Sequence, residues 1–200
     1  ESKWITGPDA RMDVHQYRHQ HDAILVGVGT VLADDPSLDT RLPNGGKNPI
    51  RIILDSHLRT PLSSKVLTDG KAPTWIITGS KPDLEKVAAL EGEEGIKVLT
   101  LPMEKVEVNS LLALLGEEGI TSLFVEGGAT VNGSFLKEKA IQQVITYIAP
   151  KLIGGKGAPT LVGGEGFATM DEVMELEIKE VTKIGSDLKI VSTPKLEERG

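Results

Sequence analysis

The chain predicts an α/β fold, a mixed but mostly parallel sheet with helices on both faces and an antiparallel hairpin at its C-terminal end. Three observations predict it. Between Ala23 and Lys139, short apolar β-branched runs alternate with amphipathic stretches, the βαβα rhythm of a parallel sheet. After Gln143 the alternation stops and three strand-like runs follow, the last two joined through Ile184-Gly185-Ser186. The 200 residues, 39% of them hydrophobic, suit one domain spanning 1–200, with no internal repeat or low-complexity linker. A chain of this size buries roughly 70% of its unfolded surface and needs no covalent staple.

Each element has its own warrant. Asp9–Gln20 reads as a helix opened by Pro8, whose fixed φ suits a first turn, with Val14, Tyr17 and Arg18 spaced to share a face. Strands follow at Ala23–Val26, Ile50–Leu54, Thr74–Thr78, Ile96–Leu101 and Ser122–Val125. Helices lie between them at Pro82–Leu90, at Val106–Gly116 with leucines on its inner side, and at Thr130–Lys139. Gln143–Ala149 reads as a strand, and Glu175–Thr182 with Asp187–Ser192 as the hairpin. Lys151–Phe167 is rich in glycine and reads equally well as a surface loop or as the cover of a ligand.

Composition narrows the function. A formal charge of −7 argues against general affinity for nucleic acid. No apolar run approaches the roughly 18 residues of a membrane span, and no signal peptide is expected. The absence of cysteine excludes disulfides, thiolate metal sites and cysteine nucleophiles, and agrees with a reducing, cytoplasmic setting. An anionic ligand must therefore be held by local arginines, lysines and backbone N–H groups.

Two segments have the character of a site. In DAILVGVGTVLADDPSLDTR, Asp22–Arg41, a core strand ends in Gly27 and Gly29, which let the backbone approach a ligand, and Thr30 can hydrogen-bond it. Asp34 and Asp35 precede Pro36, which biases Asp35 away from helical geometry, so this stretch reads as a strand end followed by a polar turn. In LFVEGGATVNGSFL, Leu123–Leu136, a strand ends in Glu126 and passes through Gly127 and Gly128 into a helix. Small residues at such a junction expose unpaired N–H groups at the positive end of a helix, where a pyrophosphate can sit.

These segments, with ESKWITGPDAR, VHQYRHQHDAILVGVGTVLADDPSLDTRLP, RIILDSHLRTP and APKLIGG, resemble the reductase domain of the bifunctional riboflavin-biosynthesis deaminase/reductase over essentially the whole chain. The resemblance implies a dihydrofolate-reductase-like fold and NADPH-dependent reduction of 5-amino-6-(5-phosphoribosylamino)uracil to its ribitylamino counterpart. The family's deaminase domain is expected as the partner in the longer protein. The family's first reductase strand, ending in a Ser-Leu-Asp-Gly-Lys type motif, is expected upstream of Glu1, and with it one active-site lysine.

The resemblance also implies roles for individual residues. Ser2, Arg18, Leu38, Arg41 and Glu126 would contact the substrate. Trp4, Thr30, Asp34, Ser56 and the backbone of Gly128, Ala129, Thr130, Val131, Asn132 and Gly133 would contact the cofactor. Arg18 and Arg41 offer planar forks suited to a ribose phosphate. Ser56 and Thr78-Gly79-Ser80-Lys81 are candidate neighbours of the adenosine 2′-phosphate. Glu126 and Asp34 are the expected catalytic acids, for proton handling or for holding sugar hydroxyls. His15, His19, His21 and His57 form no metal-ligand array and read as polar surface. A homo-oligomer is expected. Two other readings stay open, a dihydrofolate-type reductase with one pocket carboxylate and no use for two phosphate-binding arginines, and a non-catalytic NADPH-binding or dimerising fragment.

Overall fold

A computed structural model describes residues 5–154 and 160–195. Five parallel strands, β1 (Ala23–Gly27), β2 (Ile50–Leu54), β3 (Thr74–Thr78), β4 (Ile96–Thr100) and β5 (Leu123–Gly127), form one sheet in the order β4-β3-β2-β1-β5. Their period-two alternation splits the core into two layers. Ile24, Val26, Ile53 and Ile76 face one side, with residues of α2 (Val28–Asp34), α3 (Lys65–Thr68) and α4 (Leu84–Glu91). Ala23, Leu25, Ile52 and Ile77 face the other, against α5 (Val108–Glu117) and α6 (Ala129–Lys137). Burial on both faces is what makes these strands continuous apolar runs.

Helix α2 is a departure from the expected polar turn. Val28 and Val31, three apart, are buried in the first core layer, and the left-handed Asp35 at φ 42 ends the helix before Pro36. Seven residues containing a glycine carry too little helix propensity to announce themselves, so packing decides the conformation.

The C-terminal strands β6 (Val144–Ile148), β7 (Leu176–Ile184) and β8 (Asp187–Pro194) form a separate antiparallel sheet in the order β6-β8-β7. The hairpin therefore pairs with β6 rather than extending the parallel sheet. A bulge between Ile178 and Glu180 shifts the pleat by one, so Leu176, Ile178 and Val181 share a face with Ile148, Leu188 and Ile190. The opposite face carries Tyr147, Lys189 and Asp187, which meet α1 (Pro8–Gln20).

Helix α1 straps the two sheets together. Asp13 accepts from Tyr147 at 2.6 Å and pairs with Lys189 at 2.7 Å, on the antiparallel side. One turn on, Tyr17 stacks on Phe124 of β5 at 5.6 Å, and Lys189 lies over the Tyr17 ring. Burial and the Asp13 acceptor push the Tyr147 phenol far above its ordinary pKa, so it is a fixed donor. Among the described residues, the outer edges of β5 and β6 have no partner strand.

Candidate active site

The adjacent parallel strands β1 and β5 send their following helices to opposite faces of the sheet, α2 into one core layer and α6 into the other. Such divergence opens a crevice at the carboxyl ends of the strands, the usual ligand position in open α/β sheets. Thr30 crosses it, its Oγ1 donating to the Gly127 carbonyl at 3.2 Å.

Gly128 is the N-cap of α6, at φ 103 and ψ 143, a conformation L side chains rarely adopt. It brings no side chain to the helix end, so among the described residues α6 starts without a side-chain cap. The first-turn N–H groups are thus left for a ligand, at the end where the macrodipole favours an anion. The glycine-rich loop flanks this turn, with Gly163 N–H donating to the Ala129 carbonyl at 2.8 Å and Asn132 Nδ2 to the Leu161 carbonyl at 2.8 Å. A Cβ on Gly133 would collide with the Gly163 carbonyl, which explains that glycine.

Two residues before the cradle, Glu126 receives Arg18 in a bidentate pair, Nε at 2.5 Å and Nη2 at 2.7 Å. Arg18 is 12% exposed in its side chain and Glu126 20%. Such a fork-to-carboxylate pair fixes both side chains in one plane. Arg18 also donates through Nη1 to the Asp39 carbonyl at 2.8 Å. Asp39 itself is buried, with Oδ2 accepting from Lys71 at 2.7 Å and Oδ1 lying 3.3 Å from Arg41 Nε. Burial raises the Asp39 pKa, but the Lys71 hydrogen bond and the charges of Arg41 and Lys71 outweigh it, so the net shift is downward.

The segment bearing Asp39 is held from several directions. Leu38, at φ 50, is buried in the first core layer. The buried Arg51 donates to the Ser37 carbonyl at 3.1 Å and to Asp69 at 2.7 Å. Asn48 accepts from Thr40 N–H and donates to the Lys71 carbonyl. His15 is also buried there, its Nδ1 accepting from Arg41 N–H at 3.3 Å, 3.2 Å from the Asp39 carbonyl. Desolvation, then Arg18 and Arg41, lower its pKa.

Arg18, Glu126 and Arg41 therefore gather around Asp39, and Thr30 with Gly128 around the cradle. Thr130 and Val131 stand in the first turn of α6. Leu38 adjoins the cluster through its backbone, while its side chain is core. Asp34 closes α2 as an exposed residue, four positions after Thr30 and so on the same helix face. Ser56 lies apart, at the ends of β2 and β3, where Thr78 Oγ1 donates to its carbonyl at 3.2 Å. Lys81 is exposed nearby in sequence. Ser2 and Trp4 lie outside the described residues.

His15 corrects its expected surface role. A histidine on a polar helix carries no local sign of burial, and only the returning 37–41 segment covers it. Asp39 and Lys71 went unrecognised for the same reason, since their partners are distant in sequence. His19 is exposed and accepts from Lys47 N–H, and His21 packs against Phe124. Among the described residues, no group of three His, Cys, Asp or Glu could hold a metal ion, and no helix is long and apolar enough to cross a membrane.

The divergent helices, the glycine junction at the start of α6 and the arginines around Asp39 define an α/β protein with its candidate site at the carboxyl ends of β1 and β5. The chain belongs to the RibD C-terminal domain family, whose model matches residues 1–190. It is 49% identical over 195 residues to the riboflavin biosynthesis protein RibD of Bacillus amyloliquefaciens, covering 98% of this chain and 52% of that protein. It is 39% identical over 196 residues to the 2,5-diamino-6-ribosylamino-4(3H)-pyrimidinone 5′-phosphate reductase of Methanothermobacter thermautotrophicus, covering 97% and 89%. Acinetobacter baumannii RibD superposes with a TM-score of 0.82 at 30% identity, over 98% of this chain and 53% of that one. The Saccharomyces cerevisiae riboflavin biosynthesis reductase gives 0.72 at 25% identity, over 94% and 82%. The chain spans about half the length of the RibD proteins it matches. These neighbours agree with the fold class expected from the sequence.

Proposed function

We propose that this chain is an NADPH-dependent oxidoreductase that reduces the ribosyl group of 5-amino-6-(5-phosphoribosylamino)uracil to the ribityl group in riboflavin biosynthesis. The observation carrying this reading is the convergence of Arg18 and Arg41 on Asp39, beside a helix-terminal cradle two residues from Glu126. A sugar phosphate can take the Arg41 guanidinium together with the Arg18 protons not spent on Glu126 and Asp39, whereas a pterin ring carries no anion for them, so the convergence favours this substrate over dihydrofolate. The Methanothermobacter relative, named for reduction of a ribosylamino-pyrimidinone phosphate, supports the same substrate class.

The residues fit the dinucleotide. Its pyrophosphate would take the free N–H groups of Ala129, Thr130 and Val131, with Thr30 alongside Gly128 and Asp34 further along that face of α2. Ser56 and Lys81 would face the 2′-phosphate. When bound, the nicotinamide supplies the reducing equivalent delivered to C1′ of the sugar. The protein supplies the rest. Arg18 and Arg41 fix the phosphate, and Glu126, held in place by Arg18, accepts hydrogen bonds from sugar hydroxyls and so orients C1′. Loop residues 161–164 brace the first turn of α6 through Gly163 N–H and the Leu161 carbonyl. Asp34, which forms no ion pair among the described residues, is the acid we assign to proton handling.

The apolar outer face of the antiparallel sheet, with Ile178 60% and Val181 58% exposed, supports self-association. A cytoplasmic setting and a deaminase partner domain complete the reading.

The test is NADPH oxidation with the phosphoribosylaminouracil substrate and with dihydrofolate, using this chain and one extended upstream by about thirty residues, one supersecondary unit. Turnover of the first substrate alone is expected. Turnover of dihydrofolate, or of neither substrate by either chain, would refute the reading.

A further inference from the structure

We propose that Asp39 is the positioning residue of the anion site, the buried group that fans Arg18, Arg41 and Lys71 around a single phosphate, and that Lys71 is a third cation of that site. The inference rests on the phosphorylated-substrate reading above and goes beyond it in naming what sets the arginine geometry and what adds to their charge.

Asp39 is 3% exposed, and it lies among the very cations a dianion would need. Its three acceptors are divided among three donors from three parts of the chain. The carbonyl takes Arg18 of α1, Oδ2 takes Lys71 from the α3–β3 connection, and Oδ1 faces Arg41 two residues on. Burying a carboxylate costs several kcal/mol unless its partners are well placed. Here the partners are the ligand-binding groups themselves, so stabilising the acid and aiming the cations are one interaction.

The geometry leaves donors to spare. Arg18 spends Nε and Nη2 on Glu126 and one Nη1 proton on Asp39, while Arg41 turns only Nε toward the acid. The Arg41 side chain is 66% exposed and that of Lys71 47%, so both reach solvent from a buried anchor. Asp39 Oδ1 has no hydrogen bond despite its burial, only the 3.3 Å ion-pair contact with Arg41. That oxygen holds the guanidinium electrostatically and leaves its Nη groups for a ligand. Charges also balance toward an anion. Arg18, Arg41 and Lys71 contribute three positive charges against Asp39 and Glu126, a net of one positive.

A residue that only braced the 37–41 turn would affect stability and every ligand alike. A positioning residue affects the phosphate selectively. The experiment therefore measures binding of ribose 5-phosphate and of unphosphorylated ribose by calorimetry, together with KM and kcat for the nucleotide substrate, in the parent and in Asp39→Asn. Asn keeps an acceptor for Lys71 and removes the charge that holds Arg41.

The expected result is about a tenfold loss of ribose 5-phosphate affinity and a matching rise in substrate KM, the size of one misplaced charge-assisted hydrogen bond. kcat and NADPH affinity should stay close to the parent. Lys71→Met, at a half-exposed position that leaves the turn in place, should lower ribose 5-phosphate affinity by about threefold, the weaker share of a solvent-screened charge. It reports on the same site should Asp39→Asn fail to fold. Unchanged or tighter phosphate binding in a folded Asp39→Asn, or in Lys71→Met, would overturn the proposal, because an acid that merely diluted the positive field would improve binding when neutralised. Because ribose 5-phosphate binding needs no turnover, a chain that binds it through Asp39 but never reduces the nucleotide would sink the functional reading and leave this one standing.

Discussion

Removing Glu126 tests whether the Arg18–Glu126 pair exists in solution and how much it stabilises the protein. The pair supplies two charge-assisted hydrogen bonds at 2.5 and 2.7 Å between side chains only 12% and 20% exposed. Breaking a fully buried pair costs about 3–5 kcal/mol, and the residual exposure of both partners lowers this to about 2–3 kcal/mol for Glu126→Ala. Arg18→Ala should cost about 1 kcal/mol more, since it also strips the donor from the Asp39 carbonyl. For a chain of this length each kcal/mol moves the melting temperature by about 2–4 °C, so Glu126→Ala should melt roughly 4–12 °C lower. Urea unfolding of the parent, both single variants and the double variant closes a mutant cycle. A coupling of about 1–2 kcal/mol is expected, and it should survive added salt better than a surface pair would. Coupling below about 0.5 kcal/mol would mean the two side chains act independently, and the geometry of the site would have to be redrawn.

Gly29 has open space around the position of a Cβ and is exposed in α2, so Gly29→Val should melt like the parent yet weaken NADPH at least tenfold by calorimetry if the cofactor lies along this helix. Gly128→Val is the poorer probe, because φ 103 makes any side chain strained before a ligand is considered. Arg41→Ala should raise the substrate KM by about ten- to a hundredfold, corresponding to about 1.5–3 kcal/mol of charge-assisted bonding, with NADPH affinity unaltered. An unchanged KM would remove Arg41 from the site. His15 has a folded pKa depressed below its unfolded value near 6.5, so its unfolded form binds the proton more readily. Its contribution is full above that pH and lost as the pH falls from there through the folded value. His15→Gln should flatten the stability profile in that window, and a slope identical to the parent would show that another group titrates there.

The parallel half of the fold was legible because its central strands are buried on both faces and carry short apolar runs such as AILV and IIL, bounded by turn residues. The junction at Glu126–Thr130 was legible for a related reason, since consecutive glycines after a strand have few other uses, and φ values of 75 and 103 at Gly127 and Gly128 supply the physical one. The hairpin was legible from Gly185, which supplies the positive φ its two-residue turn requires. Helix α2 was not, because local propensity is weak over seven residues and only the core beneath Val28 and Val31 selects the helix. The grouping of β6 with the hairpin into a sheet of its own was likewise decided by pairing between segments some forty residues apart, which no local pattern encodes. The candidate site divides in the same way. Thr30 and Glu126 stand in glycine-marked segments and Arg18 and Arg41 were expected from the family resemblance, but the mutual geometry of the four was not legible. Asp39, Lys71 and His15 acquire their roles only when the 37–41 segment returns to α1, because a buried charge is recognised by its partners, and those partners are brought together by the tertiary structure alone.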